Sequence, residues 1–253
     1  GWIPSDPNAF VARHLDCRQV LQNGTVLHKA SYAYQQSRQF MFDLIRDAAE
    51  RVDVDGIMLS FVGPHFVQSE QPVADRLLSV YGKNIAAVSP TAPDLYACRA
   101  YFMTQLISGV RAVLDEVGTA KGKTLTLGIL VWPHDQNGWN GGTTAAEGLD
   151  VVNWIHAGYL DSVMCQNNSE IDTLYKSECE SHGVKYVQSR TDVNPSSVAA
   201  LYANGIQRFA LWDMDGWQYY PYYWSWLSRA GHQDEMANWQ PSDYVNEMLI
   251  KLN

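Results

Sequence analysis

The stretch Arg51-Val-Asp-Val-Asp-Gly-Ile-Met-Leu-Ser-Phe-Val-Gly-Pro-His-Phe66 decides the fold. A segment of helical period, Gln35 to Arg51, runs straight into it. Asp53, Asp55 and Gly56 are turn residues, and Ile57 to Phe61 form an apolar run of strand length. Gly63-Pro64 ends that strand and leaves His65 in the loop beyond. Helix, tight turn, buried strand and polar loop is the order of an α/β protein with a parallel sheet. Ser60 to His65 then lie at the carboxyl end of a strand, where such folds place their chemistry.

Outward from this stretch the same order repeats. Residues 1–24 read as irregular, with Thr25–Ala30 extended. The Gln35–Arg51 helix carries Phe40, Met41, Leu44, Ile45 and Ala48 at the spacing of a packed stripe. A long loop containing Pro72 and Gly82 leads to a helix over about 94–117. Strands follow at Leu125–Trp132, Asp161–Gln166, Val184–Gln188 and Arg208–Trp212, alternating with helices at Leu149–His156, Ile171–Ser181 and Ser196–Ala203. An aromatic helix after Tyr222 and an amphipathic one, Ser242–Leu252, complete the expected pattern. Right-handed crossovers would make these strands parallel within a single domain.

Composition narrows the function. A formal charge of -9 over 253 residues leaves nothing to neutralise a phosphate backbone, so nucleic acid is excluded as a partner. No apolar run reaches ~18 residues, so no membrane span is expected. Cys17, Cys98, Cys165 and Cys179 lack metal-ligand spacing, and no cofactor is expected. Asn23-Gly-Thr25 and Asn167-Asn-Ser169 match the N-glycosylation pattern, which matters only in a secreting host. The outlier is aromatic content, with nine Trp and fourteen Tyr. Such residues serve equally as large core side chains and as faces that stack on sugar rings.

Several ordered segments resemble a known family. Tyr32-Ala-Tyr34, Ser37-Arg38 and Val52-Asp-Val-Asp-Gly-Ile57 are similar to the approach to the fourth strand of bacterial glycosyl-hydrolase-like TIM-barrel proteins, the family 10-like glycoside hydrolases. Gly148-Leu-Asp-Val-Val-Asn-Trp-Ile-His-Ala-Gly-Tyr-Leu-Asp161 resembles the helix and turn before the family's sixth strand. Cys165-Gln166 stands where the family has Pro-Gln, and Arg208-Phe-Ala-Leu-Trp212 resembles the eighth strand. The resemblance implies a (β/α)8 TIM barrel of which this chain supplies roughly strands 4 to 8. It also implies that about a hundred residues of the usual ~250-residue barrel lie on an upstream segment or a second chain that completes it. The chain departs from the family pattern: the family usually carries Asp where this chain has Ser60 and a basic or aromatic residue near Gly63, and a glycosidase needs two carboxyl groups across the scissile bond.

On that placement the candidates lie just past each strand. Asp213 and Asp215, between Trp212 and Trp217, suit catalysis at an oxocarbenium-like centre, although Asp-Met-Asp-Gly is equally good turn chemistry. Asp135, beside His134 after Trp132, is a third catalytic candidate. His134–Asp135 reads as a proton relay, as part of a metal ligand set, or as a solvated loop. Gln166 and Asn167 suit hydrogen bonding to hydroxyls, and Arg190 suits pairing with Asp192 or with an acidic sugar. Tyr34, His65, Trp132, His134, Trp212 and Trp217 complete the expected substrate contacts. Asp53 and Asp55 sit at the amino end of their strand and read as structural.

Three readings compete. The first is a glycoside hydrolase acting on a poly- or oligosaccharide through carboxylates at the barrel mouth. The second is a non-catalytic carbohydrate-binding or structural protein that lost the fourth-strand acid at Ser60. The third is metal-assisted hydrolysis through His134, His65 and Asp135, which no ligand spacing supports.

Overall fold

A computed structural model describes residues 9–63, 66–136, 143–166, 171–190, 195–211, 229 and 232–238. It is an α/β fold, as the alternation predicts, with a five-stranded parallel sheet. The elements are α1 (Phe10–Arg13), β1 (Arg18–Val20), β2 (Val26–Ala30), α2 (Gln35–Arg51), β3 (Gly56–Ser60), α3 (Gln71–Tyr81) and α4 (Pro93–Lys121). They continue with β4 (Thr126–Val131), α5 (Val151–His156), β5 (Ser162–Gln166), α6 (Thr173–Ser181), β6 (Lys185–Arg190), α7 (Pro195–Ala203), β7 (Phe209–Leu211) and α8 (Gln233–Asn238). The main sheet runs β3-β4-β5-β6-β7, and β1 with β2 makes a small antiparallel hairpin. The helices expected after Tyr222 and over Ser242–Leu252 lie outside the described residues. Among the described residues, no helix is long and apolar enough to cross a membrane.

The chain divides into two compact units, one of residues 1–163 and 172–185, the other of 164–171 and 186–253. In the first, α2 has the predicted ends and matches the predicted face only in part. Ile45 is buried as expected, together with Ser37 and Ala49, while Phe40 and Leu44 are 42% and 52% exposed. The reason is close approach to α4: a Cβ on Gly109 would lie 2.2 Å from Phe42 Cζ, so this glycine makes the room that the Phe42 ring fills. Fit at that contact outweighs the hydrophobicity of the neighbouring stripe.

Two further expectations change. The loop read through Pro72 is the helix α3, because proline in a first turn removes only an N–H that has no helical partner. The apolar β3 is not fully buried: it ends the strand order, and Met58 is 44% exposed. Its neighbour β4 carries the core, with Leu127, Ile129 and Val131 all at 0% exposure. β3 and β4 pair in parallel, Ile57 opposite Leu127 and Leu59 opposite Ile129. Asp53 and Asp55, before β3, are exposed and lie 2.6 and 3.7 Å from Lys123 Nζ.

At 29 residues, α4 is about 44 Å long and far outreaches the strands it covers. It buries Leu95, Met103, Leu106, Ile107, Val110 and Leu114. Its Arg111 donates to Asp161 Oδ2 at 2.9 Å and to the Leu125 carbonyl at 2.6 Å. Asp161 also accepts from the Leu127 N–H at 2.7 Å, and its backbone receives the Lys185 N–H at 2.9 Å. This clamp sets where β4, β5 and β6 begin. In the second unit β6 and β7 pair in parallel, with Gln188 opposite Phe209. The buried Gln188 side chain accepts from the Tyr186 hydroxyl at 2.9 Å and donates to the Cys165 carbonyl at 3.3 Å. The four cysteines are free and buried. Burial pushes the Cys179 thiol up to about 12.

Gly122 and Gly148 have similar left-handed backbones, φ 68° and 75°, but different surroundings. Nothing lies within 4 Å of a Cβ built on Gly122, whereas one on Gly148 would meet Arg99 backbone at 2.8 Å. Gly122→Ala is therefore expected to lose about 1 kcal/mol of unfolding free energy from backbone strain. Gly148→Ala is expected to lose about 2–5 kcal/mol, because overpacking adds to that strain. Urea unfolding of the two variants checks the difference.

Candidate functional site

β4 delivers Trp132, Pro133, His134 and Asp135 to its carboxyl end. The Trp132 indole N–H donates to the Val62 carbonyl at 3.1 Å and ties this end to the chain leaving β3. His134 is held by a carboxylate from another element. Asp172 precedes α6 and caps it, accepting the Tyr175 N–H at 2.9 Å. The same carboxylate accepts the His134 backbone N–H at 2.6 Å, and both of its oxygens lie 3.0 Å from His134 Nδ1. A carboxylate only accepts, so Nδ1 carries the ring proton and Nε2 offers a lone pair.

Two more side chains frame the imidazole. The Tyr175 ring meets it edge-on, centroids 5.9 Å apart. The Tyr175 hydroxyl donates to Thr144 Oγ1 at 3.1 Å, and Thr144 donates to the His134 carbonyl at 3.3 Å. Asp172 is fully enclosed, with 0% side-chain exposure, while His134 is 37% exposed. Asp135 points outward, 68% exposed, with an oxygen 4.0 Å from Nδ1. A ring fixed by an enclosed carboxylate on a partly exposed side chain is an arrangement that acid–base chemistry can use.

The loop that bears Thr144 is anchored from α4. Buried Arg99 donates to the Ala146 carbonyl at 2.9 Å and to the Gln68 carbonyl at 3.1 Å. Desolvation lowers the Arg99 pKa, and Glu147 and Glu70 oppose that shift. Both Glu70 carboxylate oxygens accept the Gln68 N–H, at 3.0 and 2.8 Å. Burial is the main cause that holds the Glu70 carboxyl above its ordinary range.

The structure therefore gathers His134, Asp135 and Trp132 at one strand end. Tyr34 sits elsewhere, at the start of α2; burial first, then the Glu70 charge, raises its hydroxyl. Gln166 is buried at the end of β5, its amide oxygen without a hydrogen-bond partner among the described residues. Arg190 ends β6, and its side chain lies outside the described residues, as do His65, Asn167, Trp212, Asp213, Asp215 and Trp217. A surface hollow of about 560 Å³ between α1 and α2, where Phe10 stacks on His14 and Phe40, has no residue in common with the His134 group. Sequence reasoning missed Asp172, Tyr175, Thr144 and Arg99. The one available signal was that an Asp opening a helix past a strand end is a cap, and hence fixed in place.

Asp172→Ala is expected to cost about 2–4 kcal/mol, because it removes a cap and leaves enclosed donors unpaired. Asp135→Ala should stay within about 0.5 kcal/mol of the parent in the same denaturation assay. Glu70 gives a pH test. A carboxyl whose folded pKa is raised stabilises fully below its unfolded value of about 4.3, and that contribution is lost as pH rises through the folded value. Urea titrations from pH 4 to 8 should show the parent losing stability relative to Glu70→Gln.

No protein-family model matches the chain, and no curated protein does. The narrower family 10-like resemblance thus has no family model behind it. Among solved structures, a glycoside hydrolase family 18 N-acetylglucosaminidase from Paenibacillus barengoltzii is similar, with a TM-score of 0.35 and 18% identity. The match covers 62% of this chain and 45% of that one, so the chain spans less than half of that enzyme's length.

Proposed function

We propose that the chain is a carbohydrate-active hydrolase of the TIM-barrel type, cleaving a glycosidic bond with His134 as a proton-transfer group. The observation that carries this reading is the Asp172–His134 pair at the carboxyl end of β4, with Nδ1 held by an enclosed carboxylate and the His134 side chain partly exposed. Nε2 takes a proton from the attacking water, and Asp172 stabilises the imidazolium that forms. Asp172 is already bonded to two backbone N–H groups and a ring, so it orients His134 and does not itself meet the sugar. Asp135 is the exposed carboxylate beside it. In the same proposal, the acid that protonates the departing glycosidic oxygen is Asp213 or Asp215, with Trp212 and Trp217 as stacking faces.

A second reading, a binding protein without turnover, is favoured by Ser60. It ends β3 in an exposed position with a hydroxyl where the acid of a glycosidase would stand. The two readings separate on oligosaccharide panels that measure turnover and calorimetric binding side by side. Under the hydrolase reading, His134→Ala lowers kcat by about 10²–10⁴-fold while the Kd for sugar changes little. Singly replacing Asp213 and Asp215 by Asn should abolish turnover in one variant at least; activity surviving in both removes these residues from the mechanism. Sugar binding with no turnover by the parent supports the binding protein.

A further inference from the structure

A second constellation of ligating side chains stands at the other end of the strands. His156 is the last residue of α5, Glu178 lies in α6, and His182 caps the carboxyl end of α6. β5 and β6 begin just after these helix ends, so the group lies by the amino ends of the strands, away from His134. His156 Nε2 is 2.7 Å from Glu178 Oε2, and His182 Nδ1 is 3.9 Å from the same oxygen. One ligand atom from each of the three residues can be chosen so that all lie within 4.8 Å of one another. The two imidazoles stack, with centroids 4.4 Å apart and planes at 25°.

We propose that His156, Glu178 and His182 bind a divalent transition-metal ion of the zinc class, and that this ion staples α5 to α6. Ligand atoms held tetrahedrally at about 2.1 Å from zinc are ~3.4 Å apart, so the 2.7 Å contact must open by about 0.7 Å and the 3.9 Å contact must close by about 0.5 Å. Side chains 45%, 26% and 38% exposed have that freedom. Glu178 and His182 are four apart on a helix, which brings both to one face. His182 Nδ1 now lies 2.9 Å from Ser181 Oγ and 3.0 Å from the Glu178 carbonyl. Binding exchanges those contacts for the ion, with the ring proton carried on Nε2. Two imidazoles and one carboxylate match zinc, cobalt or nickel and offer too few oxygens for calcium or magnesium. Water fills the remaining position. Because the group shares no residue with the His134 site, the ion's role is structural.

The test uses tag-free full-length chain, stripped with a chelator and titrated with zinc, with cobalt as a spectroscopic probe and magnesium as a control. One zinc per chain is expected, with tetrahedral cobalt absorption. The melting temperature should rise on the order of 5 °C at zinc a hundredfold above its Kd. His156→Ala, His182→Ala and Glu178→Gln should each abolish the shift and the cobalt bands, while His134→Ala retains both. These side chains are exposed, so the variants' circular dichroism should match the parent's. Absence of zinc uptake by the parent overturns the proposal. So does a shift that survives in His156→Ala and His182→Ala, or one that disappears in His134→Ala.

Discussion

A desolvated guanidinium must be bonded wherever it lies, and α4 carries two of them. Arg99 and Arg111 are twelve residues apart on one helix, about 18 Å along its axis. Each finds its partners on loops or strands that the helix covers. Arg111 meets Asp161 and the Leu125 carbonyl, where β4 and β5 begin. Arg99 meets the carbonyls of Gln68 and Ala146, beyond the strand ends. One rigid rod therefore fixes the amino ends of the strands and the loops at their carboxyl ends together. Shifting α4 by a single turn would unpair both cations, and this holds Thr144 where Tyr175 and His134 can use it.

The local chemistry follows from that rigidity. Asp172 serves as a helix cap and as the partner of His134, so the geometry of the ring is as fixed as the first turn of α6. By contrast, the acidic residues before β3 are solvated and pair with Lys123, with Lys121 also acting on Asp53. The carboxyl end of β4 thus has a buried carboxylate behind a partly exposed base, whereas the approach to β3 has only surface charge among its described acidic residues.

Local pattern was legible where local forces decide. α2 has the ends that its 3.6-residue period gives, and the helices after β5 and β6 close at Gly183 and Gly205, each in the left-handed region. The buried face of α2 was legible at Ile45 but not in full, because its position depends on the space at Gly109, more than sixty residues away. α3 was hidden by Pro72, a residue that breaks helices everywhere except in the first turn. β1 is three residues long, two of them polar, and exists only because β2 pairs with it. At the site, His134 could be named from its loop, but its carboxylate lies 38 residues on. No spacing rule reaches that far, and the adjacent Asp135 was the more visible partner and the more distant one.

The strand order repeats the chain order, and this has a consequence for synthesis. Each strand pairs with the next one made, but the intervals are unequal: Asp55 and Thr126 are 71 residues apart, Leu127 and Asp161 only 34. Doubling a loop costs ~0.6 kcal/mol of closure entropy, or about threefold in rate. On a ribosome adding about 5–20 residues per second, β3 waits roughly 4–14 s for β4 to be made. Through that interval Ile57, Met58 and Leu59 lack β4, their partner in the described sheet, and have α2 as a possible cover. The nascent chain is most exposed to misassociation then, with Asp53 and Asp55 as the charges that keep other chains at a distance.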